Sequence, residues 1–65
     1  MKTVNQDEFD SFIRSFQEDD LICGRDVGRM HGMAIYQKSG KVVAEERWTR
    51  ESLSHPRIWT YQIAK

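Results

Sequence analysis

The stretch GRMHGMAIYQKSGKVVAEERW, Gly28 to Trp48, decides how this chain is read. It predicts a β-hairpin, two arms of strand-forming residues around a Lys38-Ser39-Gly40 turn. A bulged turn with Gly40 in a left-handed conformation pairs Gln37 with Lys41, whereas a two-residue Ser39-Gly40 turn shifts the pairing by one. In the bulged register, one face of the hairpin carries Met33, Ile35 and Val43. The other carries Ala34, Tyr36, Val42, Ala44 and Trp48. A strand that packs on a single core needs apolar residues at one parity only, so the second apolar face requires a use.

Upstream of the hairpin, Val4-Asn5-Gln6-Asp7-Glu8-Phe9 has the signature of a helix entry. Asn5 caps, Glu8 closes a capping box, and Val4 staples onto Phe9. Phe9, Phe12, Ile13 and Phe16 then fall at i, i+3, i+4 and i+7, which predicts an amphipathic helix from about Gln6 to Gln17. Leu21 to Gly24 reads as a connector or a brief strand. Downstream, Thr49 to Pro56 is polar, with a single helical turn expected near Thr49 and Leu53 as its apolar anchor. Arg57 to Ala64 holds Ile58, Trp59, Thr60, Tyr61 and Ile63 and predicts a last strand.

The expected fold is α+β, a single small domain over residues 1–65 in which one N-terminal amphipathic helix packs on a three-stranded antiparallel sheet, αβββ. A chain of this length buries only about 60% of its unfolded surface, leaving room for one core layer and little for a walled substrate cavity. The helix stripe covers one face of the sheet, and an aromatic surplus is expected on the face that it leaves bare.

Ten basic and ten acidic residues cancel overall, which argues against tight nonspecific polyanion binding. Their distribution is uneven. Residues 1–22 hold two basic and six acidic side chains, a net of minus four, and residues 23–65 hold eight basic and four acidic ones, a net of plus four. Glu18, Asp19 and Asp20 stand at the expected helix end, where the helix dipole favours cations. They are therefore candidates for contact with a basic partner.

Little in the sequence carries catalytic or metal chemistry. Cys23, His31 and His55 lack the paired short spacings of a structural zinc site. Cys23 is expected to be a buried apolar residue. Glu45 and Glu46 are adjacent in a strand and point to opposite faces, so they do not form an acid and base pair. The glycines of Gly24-Arg25-Asp26-Val27-Gly28 lack the lysine and flanking elements of a phosphate loop. No enzyme activity, cofactor or metal is expected. A lone cysteine, with no leader and no apolar run near the 20 residues of a membrane span, makes a cytoplasmic location the default.

Two uses for the second face follow. The first is a non-enzymatic protein-binding module acting through Glu18, Asp19 and Asp20 together with Tyr36, Trp48, Trp59 and Tyr61. Size and style are compatible with the small accessory proteins of bacteria and their phages, which suggests a regulator or inhibitor, and a homodimer is a further option. The alternative is a nucleic-acid-binding sheet. Bases would stack on the same aromatic residues while Arg29, Arg47, Arg50 and Arg57 follow phosphates.

Overall fold

The computed structural model describes residues 1–64, without the Glu18 side chain. Strand β1, Lys2–Val4, is followed by helix α1, Gln6–Arg14, and by a 3-10 turn, Glu18–Asp20. Four strands complete the chain: β2 Ile22–Val27, β3 His31–Lys38, β4 Lys41–Thr49 and β5 Ile58–Ile63. All five strands form one antiparallel sheet in the order β1-β5-β4-β3-β2.

The three-stranded sheet expected from the sequence is thus a five-stranded one, and the molecule is mostly sheet with one short helix. The two added strands are the edges. Every residue of β2 is exposed, so its sequence carries no buried period, and Gly24-Arg25-Asp26 within it reads locally as a turn. The other edge, β1, has three residues, too few for any period.

At the helix start the cap and the staple form, without the return bond to the Glu8 carboxylate that would complete the capping box. The Asn5 side chain accepts a 2.8 Å hydrogen bond from the Glu8 backbone N–H. Val4 packs with Phe9 in the core, as a staple does. The helix ends three residues before the expected Gln17, with Arg14 in its last turn and Ser15 as cap. Phe9 alone of its stripe is buried, while Phe12, Ile13 and Phe16 are half-buried.

At the hairpin the two-residue turn prevails. Ser39 and Gly40 both have positive φ, 52° and 80°, and Lys38 pairs with Lys41. That turn by itself would set Tyr36 opposite Val43. A bulge between Tyr36 and Gln37 absorbs one residue, so Tyr36 pairs with Ala44 and the parity is restored. Tyr36, Ala44 and Ile63 thereby share one face, and Phe9 packs on Ala44, Tyr61 and Ile63 to make the core.

Because β1 stops at Val4, level with Tyr61, the chain turns into α1 halfway along the sheet. The helix runs back over the half holding Tyr36, Ala44 and Ile63, toward the β3–β4 turn, where Lys38 Nζ sits 5.3 Å from the Phe16 ring. The other half of the same face, Val27, Gly32, Trp48 and Trp59 in one cross-strand row, has no helix above it. Among the described residues no helix is long and apolar enough to cross a membrane.

Candidate functional site

The helix-free half is built from the registered row Val27, Gly32, Trp48, Trp59 and the row beside it, Arg25, Ala34, Glu46, Tyr61, Val4. Gly32 is what makes this surface possible. It lies directly opposite Trp48, and the absent side chain lets the indole lie down across the β3 backbone. Trp48 is consequently buried, whereas Trp59 beside it remains 43% exposed and Val27 66% exposed.

An aromatic chain crosses the face. Trp48 and Trp59 have ring centroids 6.3 Å apart, and Trp59 stacks on Tyr61 at 6.1 Å with an interplanar angle of 4°. Tyr61 meets Phe9 at 5.1 Å, and Phe9 meets Tyr36 edge-on at 5.7 Å. The chain thus leads from the exposed Trp59 into the core, which holds the outer ring on a rigid support.

The loop between β4 and β5 adds cations. The Arg57 guanidinium lies over the Trp48 ring at 4.3 Å and that of Arg50 at 5.5 Å. Arg50 also donates from Nε to the Arg29 carbonyl at 2.7 Å, tying this loop to the β2–β3 turn. Where a helical turn was expected, Thr49 closes β4 and residues 50–57 hold no helix, and Leu53, expected to anchor it, is 59% exposed. Arg25 pairs with Glu46 at 3.6 Å. A small hollow lies among Arg25, Val27, Ala34, Glu46, Trp48 and Trp59, with apolar walls and one ion pair.

Burial, followed by the nearby Glu46 carboxylate, pushes the Tyr36 phenol up to about 12. The same causes raise Tyr61 above the usual phenol range. Both side chains therefore stay protonated, as hydrogen-bond donors, throughout the neutral range.

Tyr36, Trp48, Trp59 and Tyr61 thus share a face, as the sequence reading required, but it is the helix face and not the opposite one. On that opposite face Met33, Ile35 and Val43 are half-buried without a covering element, alongside Thr3, Glu45, Arg47, Thr60 and Gln62. This is where the second apolar parity of the hairpin goes.

The acidic residues lie elsewhere. Asp19 and Asp20 are exposed in the 3-10 turn just before Ile22, which pairs with Gln37 beside the β3–β4 turn. Trp48 pairs with Gly32, five residues further along β3, roughly 17 Å away at the usual strand rise. The helix ends before them, so they are not set against its dipole. The Glu18 side chain lies outside the described residues.

The four arginines do not form one track. Arg50 and Arg57 flank Trp48, Arg29 is in the β2–β3 turn, and Arg47 sits on the opposite face, bonded to Glu45. Cys23, expected to be buried, is exposed because β2 is an edge. Among the described residues no three of His, Cys, Asp and Glu converge as metal ligands, and His55 instead meets the Ser52 hydroxyl at 2.6 Å. The strand-edge position of Cys23 and the support that Gly32 gives Trp48 both escaped sequence reasoning. Neither register expected from the sequence sets Gly32 opposite Trp48, which only the bulge does, so the available signal for Gly32 was a glycine inside a strand, a mark of close backbone approach. No family model, curated protein or solved structure matches the chain.

Proposed function

We propose that this protein is a non-enzymatic protein-binding module, a small regulator or inhibitor, and that its contact surface is the helix-free half of the sheet face around Trp59. The observation that carries the reading is the row Val27, Gly32, Trp48, Trp59. Two of its apolar side chains stand 66% and 43% exposed beside a hollow on a rigid aromatic base. Tryptophan, tyrosine and arginine gathered on preorganised backbone are the residues that dominate protein interfaces. The hollow, about 30 Å³, takes no more than the methyl-sized tip of an apolar side chain, and the flanking Arg57 favours a partner with a carboxylate at its rim.

Nucleic acid is the weaker reading. Glu46 lies within the aromatic surface, and Arg47 is on the other side of the sheet. Quenching of tryptophan fluorescence by single-stranded oligonucleotides, falling as salt rises, is the result that favours it.

Affinity capture with the parent and with Trp59→Ser tests the proposal. The partner is retained by the parent and lost with Trp59→Ser, while the melting temperatures of the two proteins stay close because Trp59 is partly exposed. Equal capture by both proteins contradicts it.

A further inference from the structure

We propose that β2 is the pairing edge of a two-fold symmetric dimer, so that two copies of this chain share one continuous ten-stranded antiparallel sheet. The proposal does not rest on the partner surface around Trp59, and in the dimer that surface keeps Trp59 while Val27 is shared with the second copy. It rests on the contrast between the two edges of the sheet. A bare edge invites another strand, and proteins blunt it by shortness, charged side chains, proline or a bulge. Edge β1 is three residues long and carries Lys2. Edge β2 is twice that length and regular in register, without proline or bulge, and its two charges, Arg25 and Asp26, are adjacent and opposite in sign. Its six residues are all exposed, with Ile22 at 70% and Val27 at 66%.

The sequence of β2 selects both the occupant and the register. In a continuous two-fold sheet, residues facing each other must lie on the same face, so the axis passes through a residue and not between two. Centring on Arg25 or on Asp26 would put like charges directly opposite, which is unfavourable. Centring on Cys23 pairs only Ile22 to Gly24 within the strand. Centring on Gly24 pairs five residues, Ile22 to Asp26, and places at the axis the residue without a side chain. Cys23 then faces Arg25 of the second copy, and Val27 faces its Leu21, which joins two apolar side chains at each end. On the open face, the shallow groove lined by Ile22, Gly24, Met33 and Ile35 continues across the axis into its own copy.

Sedimentation over a wide concentration range, on the parent and on Gly24→Asp, is the test. A Cβ at Gly24 meets nothing within 4 Å, so the substitution fits the monomer, yet in the dimer it sets two carboxylates against each other. The parent is expected to be a dimer that dissociates on dilution, and Gly24→Asp a folded monomer with an unchanged circular-dichroism spectrum. A second variant, Gly24→Cys in a Cys23→Ser background, is expected to give a disulfide-linked dimer under mild oxidation, since facing residues lie within disulfide reach. A parent that is monomeric throughout overturns the proposal. So does a dimer that Gly24→Asp leaves intact, or an oxidised parent cross-linked through Cys23 in preference to the Gly24→Cys variant.

Discussion

The indole of Trp48 rests on the backbone of Gly32, its direct cross-strand neighbour between β4 and β3, and a Cβ on Gly32 would come within 2.6 Å of indole Cε2. The buried half of the binding surface and the exposed half are thus set by one glycine. Gly32→Ala is expected to lift Trp48 and to destabilise the fold by about 1 to 3 kcal/mol, the usual effect of overpacking. Urea denaturation followed by tryptophan emission measures it, and a midpoint equal to the parent's would show that the indole has room to move aside at no cost.

Phe9 is the side chain on which the helix depends. It is 2% exposed and touches Ala44, Tyr61 and Ile63, whereas Phe12 and Phe16 lean on each other at 5.1 Å near the surface. Phe9→Ala is expected to cost about 3 to 5 kcal/mol and to unfold most of the population of so small a domain. Phe16→Ala is expected to cost much less. Thermal melts that rank the two in the opposite order would place the core elsewhere on the helix.

Alkaline stability should depend on Tyr36. Its phenol ionises at about 12 when folded, against 10 for an unperturbed tyrosine. The unfolded chain therefore loses its proton first, and stability is fully present below pH 10 and falls as pH rises from 10 toward 12. Tyr36→Phe removes this group, and its denaturation midpoint should decline less steeply over that window. Parallel profiles for the two proteins would assign the alkaline loss to other groups.

Asp19 and Asp20 have no ion pair among the described residues and lie at the far end of the sheet from Trp59. Replacing both with asparagine is expected to leave the melting temperature within the small range of exposed charge effects. Captured partner should also be unchanged. Weaker capture would extend the contact surface to the β3–β4 turn.

Much of this arrangement is legible in the residues themselves, where local and long-range signals agree. Asn5, Val4 and Phe9 mark the helix start because cap and staple act within a few residues. Alternation in 33–36 and 58–63 assigns side chains to faces because those strands are half-buried. The edge strands are illegible for the converse reason: Ile22 to Val27 is exposed throughout, so burial leaves no period in it. The helix boundary at Arg14 is equally hidden, since Phe16 continues the apolar stripe after the helical backbone has ended. The turn type rests on Ser39 taking positive φ together with a compensating bulge, and the two shifts cancel in the parity pattern. The location of the aromatic site depends on the length of β1, which sets how far along the sheet the helix begins.

A photo-reactive phenylalanine analogue placed at position 59 and, separately, at position 60 tests the central claim most directly. The two positions are adjacent in β5 and point to opposite faces of the sheet, Trp59 pairing with Trp48 and Thr60 with Arg47. Irradiation in the presence of the partner population is expected to give one discrete cross-linked protein from position 59 and none from position 60. Cross-links of equal yield from both positions, or from position 60 alone, would contradict a binding surface on the aromatic face.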